Sequence, residues 1–323
     1  MRLMPQTPRS ASDPAVSVAA GIDSPEMHRA GRDLLSLALI DARNHTLHLL
    51  SLYEQALGSA RLEVPAGEPD VVPPLWLAGH IGWFAEWWIG RNTQRAFGPD
   101  CPVRPTRLAA IDPQADEWWN PAQRPPAQRG SPELPDLGQT RAYLLETLES
   151  TLELLEHAAE TDPGLYFYRL ALFHEDLRGE QFIVMAQTLG LPLGIGQPPA
   201  AVVREPLLLP ATRWALGAGE GSGFAFAQET GAQQVDVPEF EIDAQPVTWS
   251  QYIEFVDEGG YDREALWHPE GWRWLAAQAE GRRSPRHVEQ IGAARNGTGG
   301  GSVLQERFGG TVGPPGPHRP GQL

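Results

Sequence analysis

Apolar residues recur at helical spacing between Glu26 and Leu57. Leu35, Leu39, Ala42, Thr46, Leu49 and Tyr53 fall on one stripe, which predicts a helix with one buried face. The adjoining stripe carries Asp41, His45 and His48, either a solvated or inter-helix polar face or the lining of a substrate cavity. A second helix is predicted from near Pro73, well placed in a first turn, to about Phe97. A Pro-rich loop then spans roughly Gly98 to Pro135, longer than compact domains usually carry without a purpose. It contains DEWWNPAQRPP, whose Trp118 and Trp119 either cover the helices as a lid or anchor the loop. Two further helices are predicted, from about Asp136 to Ala159 and from Pro163 to Leu189, the last ended by Gly190 and Pro192. Four helices with one long crossover read as a four-helix bundle.

Beyond the bundle the pattern changes. GIGQPPAAVVREPLLLP reads as a linker, and VDVPEF and EIDAQPV read as short strands punctuated by Gly, Pro and Asp. PVTWSQYIEFVDEGG starts a helix capped by Thr248 or Ser250 and stopped by Gly259 and Gly260. The fold class is therefore α+β. Residues 1–25 are expected to be a disordered lead, 26–192 the helical bundle, 193–210 a linker, 211–312 a mixed second domain and 313–323 a disordered tail.

Composition narrows the chemistry. The 323-residue chain carries a net charge of −16, which argues against nucleic acid or an anionic membrane as partner. All 25 basic residues are arginine, so neither a Schiff-base lysine nor a phosphate-loop lysine exists. Cys101 is the only cysteine, which excludes an internal disulfide and cysteine-based zinc or iron–sulfur sites. It lies in FGPDCPVRP upstream of Arg104 and Arg107, and a packing role outweighs a reactive one. The lead lacks the apolar core of a signal peptide, and no run is long enough to span a membrane, so a cytoplasmic protein is expected.

Two histidines sit in helical sequence, His80 in PPLWLAGHIGWFAEWW and His174 in LALFHEDLRGE. On a helix, Trp76, His80, Trp83, Phe84 and Trp87 share one face, with Gly79 and Gly82 leaving room nearby. Each histidine alone reads as a satisfied core residue; together, on two helices of a bundle, they fit the way bundles build metal sites. The second opens a His, Glu, x, x, His pattern, in which residues four apart converge on one ion. Arg178 stands at the fourth position, and a guanidinium has no lone pair to give and repels a cation. Glu175 lies about 100° and Glu180 about 240° round the helix from His174, so neither replaces the missing ligand.

The His80 segment followed by FHEDLRGEQFIVMAQTLG resembles the DinB-like helical domain of the ergothioneine synthase family. GSGFAFAQE and VDVPEFEIDAQPVTWSQYIEFVDEGGYDREALWHPEGWRWL resemble the opening of the formylglycine-generating-enzyme-like (sulfatase-modifying-factor) domain that follows it there. ARNHTL, FHED and QTLG are most similar to the selenoneine synthase branch, and the likeness runs from about Ala30 to Val312. The resemblance implies a mononuclear non-haem iron enzyme that uses O2 to join sulfur or selenium to C2 of the hercynine imidazole, with small-molecule substrates. It implies Fe(II) held by three histidines, of which His80 and His174 match and Arg178 does not; no catalytic residue is carried over. It also implies a second domain that stops short here, leaving Trp249, Phe255, Trp267, Trp272 and Trp274 without partners. Three functions are compatible: this synthase chemistry, a non-catalytic binding module, and a metal-assisted DinB-like transferase acting on a small thiol.

Overall fold

The computed structural model describes residues 22, 24–65, 71–195, 205–219, 221–278, 284–293 and 301–312. The expected lead and tail, the middle of the linker and most of ARNGTGGGS lie outside the described residues. The chain divides into two compact units, Met1–Met185 with Leu216–Gln233, and Ala186–Ala215 with Gln234–Leu323.

In the first unit a 3-10 turn, Pro25–Arg29, leads into α1 (Arg32–Leu57). The predicted stripe of Leu35, Leu39, Ala42, Thr46, Leu49 and Tyr53 is buried, while Asp41, His45 and His48 are exposed, so the polar stripe is a solvated face. Gly58, in the left-handed region at φ 64°, ends the helix. Helix α2 (Pro74–Ala85) is apolar nearly all round and buried nearly all round, as a central helix must be. Helices α3 (Ala115–Trp119), α4 (Leu137–Glu156) and α5 (Asp162–Leu189) follow. Asp136 and Gln139 form a reciprocal capping box at the start of α4, at 2.9 and 3.0 Å. A buried ion pair ties α1 to α5: Arg43 Nε and Nη2 meet the Glu175 carboxylate at 2.8 and 3.0 Å, and Thr46 Oγ1 donates to it at 2.8 Å. Arg43 also donates to the Leu144 carbonyl of α4.

The single helix expected from Pro73 to Phe97 is broken. It passes into a π-helical turn at Glu86–Gly90, and a 3-10 turn follows at Arg95–Asp100. The cause is tertiary. Glu86 turns inward, taking the Tyr143 hydroxyl at 2.5 Å and the Ile111 N–H at 2.6 Å, and burial pushes its carboxyl pKa up. Asp116 accepts from Trp83 Nε1 at 2.7 Å and from both Arg91 Nη atoms at 2.8 and 3.0 Å. These bonds fasten the long connecting segment, and Trp119 completes the anchor, buried and stacked on Tyr143 at 4.3 Å. It seats directly over Gly79, where an added Cβ would lie 1.9 Å from its Nε1.

The segment 216–233 also packs on this unit. Phe224 N–H donates to the His28 carbonyl at 2.7 Å, His28 Nδ1 bonds the Phe224 carbonyl at 2.6 Å, and the Phe224 ring stacks on Phe173 at 5.3 Å. Gly223 permits the approach, with φ +86° and an added Cβ only 2.4 Å from the His28 carbonyl oxygen. Gly223→Ala is therefore expected to cost about 1–3 kcal/mol through strain and clash. Denaturant unfolding checks this, and an unchanged midpoint would show that the segment does not dock there.

In the second unit β1 (Leu207–Leu209) pairs with β4 (Phe240–Ile242), and β2 (Thr212–Leu216) with β3 (Gln233–Val237). Helix α6 (Trp249–Asp257) is capped by Thr248, and α7 (Pro269–Ala276) follows a Pro at its first position. Strands β5 (Val288–Ala293), β6 (Gly301–Arg307) and β7 (Gly310–Val312) form an antiparallel sheet. Trp249 does not lack partners: it is buried in a small core with Ile253, Val288 and Val303. Trp274 is exposed. The protein thus combines helix and sheet, and none of its described helices is long and apolar enough to cross a membrane.

Candidate functional site

The two histidines come together inside the first unit. The ring of His80, on α2, and that of His174, on α5, have centroids 5.2 Å apart, inclined at 71°. Helical spacing supplies the walls: Trp76 stacks on His80 at 4.9 Å, Trp83 at 5.5 Å, and Phe84 lies edge-on at 6.2 Å. Phe84 also lies flat on His174, at 3.7 Å and 7°. His80 and His174 are only 6% and 7% exposed. Trp87 is one turn further on, stacked on Trp83 and capped by the Arg107 guanidinium at 3.8 Å. Burial, with Arg91 nearby, lowers the Arg107 pKa to about 10.

Hydrogen bonds fix the ring orientations. His80 Nδ1 lies 3.0 Å from the Trp119 carbonyl, which only accepts, so Nδ1 carries the proton and Nε2 is left as a lone pair. The opposite holds at His174, where Nε2 accepts from Arg178 Nε at 3.3 Å. Its proton therefore sits on Nδ1, which is buried and has no hydrogen-bond partner among the described residues. Arg178 Nη1 in turn donates to Gln181 Oε1 at 3.0 Å. Glu175 is held by Arg43 and Thr46, and Glu180 is exposed. Cys101 is half-buried beside Asn92, at 3.6 Å from its Nδ2, and takes no part.

Two participants carried no sequence signal, the Trp119 carbonyl and Arg129, whose guanidinium lies 3.8 Å over the Trp76 ring. Both sit on the connecting segment, where position depends on tertiary contacts rather than periodicity. A groove of about 400 Å³ nearby, lined by Arg61–Val64, Pro73, Leu75 and Arg129–Pro132 among others, shares Arg129 with the site but neither histidine.

Burial is the main reason both imidazoles resist protonation. The pKa of His80 falls to about 4, with the Trp119 carbonyl opposing the shift and Arg178 and Arg129 adding to it. That of His174 falls to about 2, with His80 and Arg178 contributing after burial. A base whose folded pKa is depressed leaves stability unchanged above its unfolded value near 6.5 and lowers it below, because only the unfolded chain takes the proton. Stability is therefore expected to fall from about pH 6.5 down toward pH 4, with each histidine contributing up to about 1.4 kcal/mol per pH unit. Urea titrations at several pH values, on the parent and on His174→Gln, measure this. An equal acid slope in both would remove His174 from the account.

A three-histidine iron centre does not fit these residues. Two imidazoles are present, the lone pair of one is engaged, and the third position holds a cation. Among the described residues no group of three or more His, Cys, Asp or Glu side chains is arranged to hold a metal ion.

Residues 197–298 match the model of the sulfatase-modifying factor enzyme 1-like domain. The hercynine oxygenase of Mycolicibacterium smegmatis is 30% identical over 253 residues, 75% of this chain and 54% of the relative. That of Mycolicibacterium thermoresistibile is 29% identical over 257 residues, 76% of this chain and 52% of the relative. The chain spans about half the length of the curated relatives it matches. It belongs to the ergothioneine-synthase-like family that carries a formylglycine-generating-enzyme-like domain.

Proposed function

We propose that this protein acts on the imidazole betaine hercynine in ergothioneine-pathway chemistry, the parent reaction being O2-dependent joining of sulfur or selenium to the imidazole. The observation that carries this reading is the match to hercynine oxygenases over three quarters of the chain. The aromatic cluster of Trp76, Trp83 and Phe84 around His80 supports it, since aromatic ring faces attract a quaternary ammonium group. In the same reading residues 26–192 form a DinB-like four-helix bundle and the strands and helices that follow belong to the formylglycine-generating-enzyme-like domain, in a cytoplasmic protein. His80 and His174 would be the two residues to hold Fe(II), the family's redox centre. With Arg178 bonded to His174 they carry no iron-dependent step as they stand. That bond favours a second reading, in which the chain binds the betaine without transforming it.

Hercynine is expected to raise the melting temperature of the full chain by more than histidine does, because only hercynine brings the trimethylammonium group. Equal shifts, or none at millimolar concentration, count against a hercynine site. Mass spectrometry after aerobic incubation with hercynine, Fe(II) and a thiol or selenium donor separates the two readings. Product from the parent chain supports synthase activity, and binding without product supports the module.

A further inference from the structure

His174 decides which atoms the site presents. A metal needs lone pairs, yet the Nε2 lone pair of His174 is taken by Arg178 and its Nδ1–H is a buried donor without an acceptor among the described residues. Arg178 itself is half-buried and, among the described residues, bonds only neutral groups, His174 and Gln181. On the other side Arg129 lies over Trp76, and its Nε makes one long bond to the Arg124 carbonyl, at 3.4 Å. Trp76 stacks on His80, so a continuous row runs Arg129, Trp76, His80, His174, Arg178. Neither guanidinium has a carboxylate partner among the described residues, although the chain carries a net charge of −16. Burial and, after it, the charge of Arg178 lower the pKa of Arg129. Partly buried cations without counter-charge are costly, and an anion removes that cost.

We infer that this cluster is an oxyanion site: where a three-histidine centre would hold a cation, Arg178, in the positive field of Arg129, receives the carboxylate, phosphate or sulfate group of a small ligand. An oxygen acceptor is what the cluster lacks, and a guanidinium fork matches two oxygens of one such group. The inference does not require that hercynine be transformed, so it stands or falls separately from the activity proposed above.

The test uses the full chain, titrated at constant ionic strength with sodium phosphate, sodium sulfate, hercynine and hercynine carboxamide, following tryptophan fluorescence and heat. The parent is compared with Arg178→Gln and Arg129→Gln, with near-UV circular dichroism reporting the fold. At least one oxyanion should bind, with Arg178→Gln weakening it about tenfold or more and Arg129→Gln weakening it by less. Hercynine binding more tightly than its carboxamide assigns the site to a ligand carboxylate. Phosphate or sulfate binding more tightly than hercynine assigns it to a free oxyanion. No oxyanion bound at millimolar concentration, or affinities unchanged in Arg178→Gln, overturns the inference. Should Arg178→Gln fail to fold, an unchanged affinity in Arg129→Gln overturns it as well.

Discussion

Glu175→Ala is expected to destabilise the protein by about 3–5 kcal/mol, enough to unfold a domain of ordinary stability. Glu175 and Arg43 are 4% and 2% exposed at their side chains. Removing the carboxylate leaves a guanidinium buried against the Leu144 carbonyl and Thr147 with no counter-charge, and orphans the Thr46 hydroxyl. The loss comes from the stranded charge rather than from the pair's own attraction, which desolvation largely offsets. Replacing both partners with apolar side chains, Arg43→Met with Glu175→Leu, should therefore recover much of the stability. Urea denaturation of the parent, the single variant and the double variant measures both effects. A single variant as stable as the parent would mean that the ion pair is not buried. A double variant as unstable as the single would mean that shape, not charge, governs the site. The outcome also bears on function, because Glu175 follows His174 in the motif and a carboxylate committed to folding is withdrawn from chemistry.

How much of this was legible in the sequence depended on whether local pattern or distant contact set each feature. The face of α1 followed from spacing alone, since a stripe with a period of 3.6 can bury only one way. The aromatic wall around His80 followed likewise, because Trp76, Trp83 and Phe84 are three or four residues away on one helix. The cap at Thr248 and the stop at Gly259 were local too, the latter with φ +74°. The π-helical turn at Glu86–Gly90 was not legible. It exists because Glu86 reaches Tyr143 and Ile111, residues that no short window contains. Arg129 was missed for the same reason: it is placed over Trp76 by a segment without period. Trp249 was misjudged because its partners Val288 and Val303 come from strands later in the chain. Arg178 is the instructive case. Sequence identified it as the wrong residue for a metal ligand; only the structure showed that it also takes the His174 lone pair and fixes the tautomer.

Restoring a lone pair at that position should have the largest effect of any change on metal affinity. Arg178→His is expected to tighten Fe(II) binding by at least about 100-fold relative to the parent, because even partners outside the coordination sphere change metal affinity about 10–100-fold. Three changes act together. The variant adds an imidazole four residues from His174, on the same face of α5. It removes a charge that repels the ion, and it frees His174 Nε2 from its present donor. His80 needs no adjustment, since its Nδ1–H already rests on the Trp119 carbonyl and its Nε2 is available. Anaerobic titration with Fe(II) measures the change, and Arg178→Gln isolates its parts, since it removes the charge and the donor without adding an imidazole. If Arg178→Gln tightens binding as much as Arg178→His does, repulsion alone kept iron out and the third imidazole adds nothing. If both variants bind Fe(II) no better than the parent, His80 and His174 do not converge on an ion and the metal reading of this pair is wrong. An affinity that rises only in Arg178→His identifies position 178 as the residue separating this chain from a three-histidine iron protein.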